Sequence, residues 1–214
     1  MSLQLNEPVE KYKEFYGPII RQMPKLIQEG RIPLSVKDLM KRRLEVLTSS
    51  EPVKSAYWDN YFGTADTIAY HPDGRVKLVL DSHDLRQVTP ESNLSLGALV
   101  LLEGSYEQLQ GQEFTREQLE KHTGKYLTKK QAKSNPIWQA LAREKGLLEQ
   151  YVDSVFSQAK SRFDYDENMG IYVSSPQEQP TLRNWYVYWL VYASDADDSF
   201  HLGNSDCRLV GVRS

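Results

Sequence analysis

The chain has 214 residues, 40% of them hydrophobic and 11% aromatic, a composition that excludes a disordered polymer and predicts one buried core in a single domain over residues 1–214. Its formal net charge of −3 argues against a general nucleic-acid binder, which carries a basic excess to displace counterions from phosphates. Cys207 is the only cysteine, which excludes an intrachain disulfide and a thiolate-rich metal cluster.

The N-terminus, Met1 to Pro8, lacks the basic start and apolar stretch of a secretory leader, so the cytoplasm is the expected compartment. The longest apolar runs, Leu94 to Leu102 and Trp185 to Ala193, reach about half of the ~20 residues a membrane-spanning helix needs.

Asn6 and Pro8 suit a helix start, and Val9, Tyr12, Tyr16, Ile19 and Ile20 recur at helical spacing. Gly17-Pro18 and Pro24 must interrupt that helix, because an interior proline removes a hydrogen bond and clashes with the preceding turn. Residues 1–50 therefore read as a broken helical arm preceding an α+β core over residues 51–214. Gly30 ends the first part. Ser35 and Asp38 then form a capping box for a helix to about Thr48, with Val36, Leu39, Met40, Leu44 and Leu47 on one face.

Glu51 to Gly63 is aromatic without a clean period and fits either a short helix or a loop. Thr64 to Leu80 is a hairpin: apolar strands flank His71-Pro-Asp-Gly74, in which Pro72 presets φ and Gly74 takes positive φ. Asp81 to Asn93 is polar and reads as a connection, and Leu96 to Leu102 as a buried strand. Thr115 with Gln118 caps a short helix to about His122, and Thr128 caps a further turn. Pro136 opens a helix carrying Ile137, Trp138, Leu141 and Ala142 on one side. The strongest helical signal follows Gly146, with Leu148, Tyr151, Val152, Val155, Phe156, Ala159 and Phe163 at spacings of three and four.

Three strands close the chain: Gly170 to Ser174, Arg183 to Ala193, and Cys207 to Val212. Their connections are too short for helical crossovers, which predicts an α+β fold with a mainly antiparallel sheet and helices packed on it. The segment Arg183 to Ala193 is dense in aromatic and β-branched residues. Alternation along a strand puts Trp185, Val187, Trp189 and Val191 on one face and Tyr186, Tyr188, Leu190 and Tyr192 on the other.

Several chemistries lack their atoms. There is no phosphate-binding glycine loop, since Leu119 stands where the first glycine belongs and Tyr126 follows Lys125. Gly203-Asn-Ser205-Asp-Cys207 departs from a nucleophile elbow at its closing glycine. Asp164, Asp166 and Asn168 alternate like calcium ligands, but Met169 and Ser175 replace the required glycine and glutamate. Asp195, Asp197, Ser199 and Asp206 form a second acidic loop. Both read as solvated turns, so no metal and no cofactor is called for.

The leading functional reading is a binding protein that takes a small-molecule ligand or a protein partner, a second copy of the chain included, on the face of Tyr186, Tyr188 and Tyr192, whose hydroxyls need partners if buried. An alternative is an enzyme, most simply a hydrolase, that uses Asp81 and His83 of the cluster Asp81-Ser82-His83-Asp84 as carboxylate and general base. A second alternative is a nucleic-acid accessory protein. Between Arg116 and Lys145 eight bases face three acids, a local excess that suits an anionic partner, although a solvated helical surface explains it as simply.

Overall fold

The computed structural model describes residues 2–7, 10–124 and 126–213, with the side chain of Tyr192 outside that description. Pro8, Val9 and Lys125, which entered the expectations above, lie outside the described residues.

Two strands form the centre. Phe62–Tyr70 and Thr181–Val187 run antiparallel from Tyr70 opposite Thr181 to Phe62 opposite Val187, with a bulge between Asn184 and Tyr186. Every residue of both strands is buried, because each face of the sheet is covered. Beyond Phe62–Tyr70 lies its hairpin partner Arg75–Val79 and then Gln112–Thr115. The hairpin turn is the expected one, with Gly74 at φ +94° and the amide of His71 bonded to the Arg75 carbonyl.

At the other end of the central pair, Leu209 of the closing strand Arg208–Val212 meets Gly63 in parallel, and Ala196–Asp197 meets Tyr186 and Val187. The closing strand also pairs antiparallel with Tyr12–Tyr16 along its full length. The first and last strands of the fold are thus neighbours.

That pairing corrects the expected N-terminal helical arm. Tyr12–Tyr16 is a strand, ended at Gly17 with φ +124°, and the helix begins only at Ile19 and runs to Gln28 with Pro24 inside it. The aromatic spacing of Tyr12 and Tyr16 imitates a helix period. The partner that makes this segment a strand lies almost the whole chain away, where no local pattern registers it.

One face of the sheet carries the helical layer. Val36–Glu45 starts at the expected capping box, the amide of Asp38 donating to Ser35 Oγ at 3.1 Å. Glu51–Trp58 resolves the ambiguous aromatic segment as a helix that buries Tyr57 and Trp58. Pro136–Ala142 and Lys145–Phe163 complete the layer. The long helix buries Leu148, Tyr151, Val152, Val155, Phe156 and Ala159 against a core that includes Trp58, Trp138, Trp185 and Val187. The opposite face holds a second cluster, in which Ile19, Met23 and Leu26 of the first helix pack with Leu182, Tyr186, Cys207 and Leu209. No described helix is long and apolar enough to cross a membrane.

The aromatic strand is shorter than its sequence suggests. It stops at Val187, not Ala193; Leu190–Tyr192 forms a 3-10 turn, and Ala193 and Ser194 take φ of +58° and +53°. The ladder has run out, since Phe62 opposite Val187 is the first residue of its strand. Tyr188 then bonds elsewhere: its amide donates to the Asp195 carbonyl at 2.9 Å, and its carbonyl accepts from the Arg43 guanidinium at 2.8 Å. Leu190, expected beside the tyrosines, is instead buried in the helical-layer core.

Candidate functional site

Ending the strand at Val187 separates the three tyrosines. Tyr186 is fully buried, its ring in the second core cluster and its hydroxyl 2.7 Å from Cys207 Sγ. Burial pushes the Tyr186 phenol well above its ordinary range and the Cys207 thiol up to about 11, as for a thiol packed in apolar surroundings. Tyr188 is partly buried at the surface and directly follows the strand pairing of Tyr186 with Asp197 and Val187 with Ala196. Burial first, and Asp197 second, raise its pKa. The side chain of Tyr192 lies outside the described residues.

Around Tyr188 the fold gathers three rings that the strand pattern did not single out. Tyr61 sits 6.1 Å from Tyr188 and 5.5 Å from Trp189, centroid to centroid. Phe200 lies 5.5 Å from Tyr61, 5.9 Å from Tyr188 and, stacked, 4.6 Å from Tyr186. Tyr61, Tyr188, Trp189 and Phe200 are all partly exposed, and buried Tyr186 packs against Tyr61 and Phe200. Such pairs contribute about 0.5–1.5 kcal/mol beyond their buried area, which favours one fixed arrangement of the cluster. Tyr61 belonged to the aromatic segment without a period, and Phe200 is a lone aromatic in a polar loop. Only the three-dimensional meeting of these loops shows their role.

The loop carrying this cluster is pinned by carboxylates. Asp195 accepts the Gly170 amide at 2.7 Å, and Asp198 accepts the Ser174 amide at 2.7 Å and the Tyr70 hydroxyl. Both side chains are buried, which corrects the expectation of a solvated turn. Desolvation raises Asp195 to about 7 and Asp198 to about 6, even though the hydrogen bonds they accept act in the other direction. On the far side the loop closes on Gly97, whose carbonyl accepts the Leu202 amide at 2.9 Å. The His201 ring packs where a side chain at Gly97 would stand, 2.2 Å from an added Cβ.

The other sequence candidates are placed apart. The Asp81 carboxylate is ion-paired with Arg86, while His83 Nε2 lies 2.7 Å from the Gln87 amide, so each is directed to a partner of its own. In the basic segment, Arg116 pairs with Glu120, Lys129 and Lys133 both pair with Asp153, and Arg143 pairs with fully buried Asp66. Those bases serve the protein's own acids. Asp164 and Asp166 share Lys160, and no group of three or more His, Cys, Asp or Glu side chains among the described residues is arranged to hold a metal ion. A separate cleft of about 750 Å³ is lined by Lys121, His122, Tyr126, Gln131, Asn135 and Tyr172 among others, and by neither Tyr186 nor Tyr188.

No family model matches the chain, and no curated protein matches it. A solved structure described as the accommodation of massive sequence variation in Nanoarchaeota by the C-type lectin fold aligns with it at a TM-score of 0.73, covering 98% of this chain and 100% of that one at 17% identity. The fold is C-type lectin-like. Within this lectin-like fold the first and last strands are adjacent, and Tyr188, Trp189 and Phe200 lie between the strand Thr181–Val187 and the closing strand, while Tyr61 immediately precedes the strand Phe62–Tyr70. At 17% identity the likeness is one of backbone architecture and carries no site residue across.

Proposed function

We propose that the protein is a binding module that holds a ligand or protein partner on the surface formed by Tyr61, Tyr188, Trp189 and Phe200. Tyr186 is the rigid floor of that surface, and Tyr192 belongs to the same segment. One observation carries this reading: Tyr61 touches the rings of Tyr188, Trp189 and Phe200, all four are partly exposed, and Phe200 stacks on fully buried Tyr186 at the end of a buried strand. Aromatic side chains of this kind dominate interface energetics, because they offer large apolar area at low entropic cost and a polar tip for hydrogen bonding. The lectin-like backbone agrees with a binding role but weighs less than the rings, since one fold hosts many functions.

The test is an array of chemically diverse peptides and glycans probed with the wild-type chain and with Tyr188→Ala/Phe200→Ala. Ligands should bind the wild type and be lost from the double variant, whose far-ultraviolet spectrum stays native, while Tyr188→Phe retains them in part. A ligand set that is empty, or identical for wild type and double variant, overturns the assignment.

A further inference from the structure

Charge beside the aromatic surface is one-sided. From Ala193 to Cys207 the chain carries Asp195, Asp197, Asp198 and Asp206 and neither lysine nor arginine. Among the described residues these four carboxylates meet amides and hydroxyls rather than cations: Gly170 for Asp195, Ser199 for Asp197, Ser174 and Tyr70 for Asp198, and Tyr16 for Asp206. The guanidiniums close by are committed elsewhere. Arg183 is buried and donates to the carbonyls of Leu96 at 2.7 Å and Asp198 at 3.5 Å, and Arg208 is paired with Glu14 and lies over the Tyr16 ring, 4.6 Å from its centroid.

Asp195 and Asp198 are inside, whereas Asp197 is partly exposed and Asp206 exposed, and these two adjoin the rings. Asp197 lies opposite Tyr186 in the strand pairing, and the Asp206 backbone carbonyl takes the Tyr61 hydroxyl while its carboxylate takes that of Tyr16 at 3.1 Å. Tyr188 and Tyr61 are themselves 6.1 Å apart. The surface thus sets π faces beside two carboxylates, those of Asp197 and Asp206, that form no ion pair among the described residues.

We propose that this surface recognises an arginine-bearing segment of another polypeptide, with guanidinium groups stacked on the exposed rings and hydrogen-bonded to Asp197 and Asp206. The proposal rests on the site assignment of the preceding section. A guanidinium satisfies both features at once: it is planar and weakly hydrated, so it stacks on tyrosine and tryptophan, and its edge donors match a carboxylate. A polypeptide fits better than a lone cation, because the two carboxylates flank different rings and two basic side chains of one chain can engage both. The acidic loop also disfavours an anionic ligand, which it would repel at the point of contact.

Isothermal titration with a short Gly/Ser peptide carrying two arginines one residue apart, and with its citrulline counterpart, tests the proposal. Citrulline keeps the shape and removes the charge. The arginine peptide should bind roughly tenfold or more tighter than the citrulline peptide and weaken as salt rises. It should lose that advantage in Asp197→Asn/Asp206→Asn, a variant that keeps the wild-type melting temperature. Equal affinity for both peptides, or an undiminished arginine preference in the double asparagine variant, overturns the proposal. If citrulline or acidic peptides bind equally well and depend on Tyr188 and Phe200, the aromatic site stands and only the cation is wrong. If no ligand depends on those two rings, both readings fall.

Discussion

Arg43 offers the sharpest test of how the site is held. Its side chain is fully buried in the helical layer, and no carboxylate is among its hydrogen-bond partners. Instead Nε donates to the Tyr57 carbonyl at 3.0 Å, Nη1 to the Tyr151 hydroxyl at 2.7 Å, and Nη2 to the carbonyls of Asn60 at 3.0 Å and Tyr188 at 2.8 Å. One guanidinium therefore ties together two helices, the loop before the central hairpin and the residue at which the aromatic strand ends. Its plane also lies over Trp58, 5.7 Å from the ring centroid.

Arg43→Met keeps most of the length and removes every donor. The Tyr57 carbonyl and the Tyr151 hydroxyl are left buried, at about 1–3 kcal/mol each, while the contacts to Asn60 and Tyr188 are only partly buried, so water can replace them more cheaply. Against this, the variant no longer desolvates a charge, which offsets part of the loss. The orphaned acceptors win by about 3 kcal/mol, which for a chain of this size lowers the melting temperature by roughly 6–12 °C. Arg43→Lys should recover less than half of that, since an ammonium cannot span four acceptors in the guanidinium's plane. Thermal melts followed by circular dichroism measure both variants. A methionine variant that melts within about 2 °C of wild type, a fraction of the expected shift, would refute the reasoning, and so would a lysine variant indistinguishable from wild type.

Further outcomes follow from the same structure. Val155→Asp puts an unpaired carboxylate into a fully buried site of the long helix and should cost several kcal/mol, leaving no cooperative melt at 37 °C; a native melt would show that this helix does not pack as described. Asp195 has a folded pKa of about 7 against an unfolded value near 3.8, so the folded state binds the extra proton, and stability present at low pH is lost as pH rises through about 7. Asp195→Asn keeps the acceptor for the Gly170 amide, so the difference in urea stability between variant and wild type should grow from pH 5 to pH 8 by at most about 1.4 kcal/mol per pH unit, and a constant difference refutes it. Gly97→Ala combines positive φ with a Cβ only 2.2 Å from the His201 ring, so it should destabilise the chain by about 1–3 kcal/mol and displace Phe200, read as a change in aromatic circular dichroism; an unaltered near-ultraviolet spectrum counts against the close approach. Ser35→Ala removes the capping box and should cost about 1 kcal/mol in a chemical melt, a loss that glycine at the same position largely spares.

Elements whose cause is local were legible in the sequence. The capping boxes at Ser35 and Thr115, the cap at Thr128, the turn at Gly74 and the long helix to Phe163 each rest on residues within a few positions of one another, and each is present. The class of the sheet was legible too, because short connections between the last strands exclude helical crossovers. What local pattern could not supply was pairing. Tyr12–Tyr16 became a strand because Arg208–Val212 lies beside it, and the aromatic strand stopped at Val187 because its partner begins at Phe62. Of the candidate site, Tyr188 is the one partly exposed tyrosine that the segment's own pattern named. Tyr61 and Phe200 were beyond reach, since nothing in their own neighbourhoods marks them as meeting.

The end of that strand has a consequence for how the site is built. Had the ladder continued to Ala193, alternation would have placed Tyr186, Tyr188 and Tyr192 in one stripe and committed all of them to whatever covered that face. Because the chain leaves the sheet after Val187, Tyr186 is left as core while Tyr188 and Trp189 turn outward, and the backbone groups released from the ladder are taken by Arg43 and Asp195. Arg43 is fixed from the helical layer, and Asp195 from the strand that follows the long helix, through Gly170. The two clamps lie on separate elements, so loosening either should disorder the rings without unpairing the central strands. Hydrogen exchange on Arg43→Met at a temperature where it is folded would separate the cases: faster exchange confined to residues 188–200 supports the clamp, whereas exchange spread evenly over the strands Phe62–Tyr70 and Thr181–Val187 means that Arg43 stabilises the whole core and has no special hold on the site.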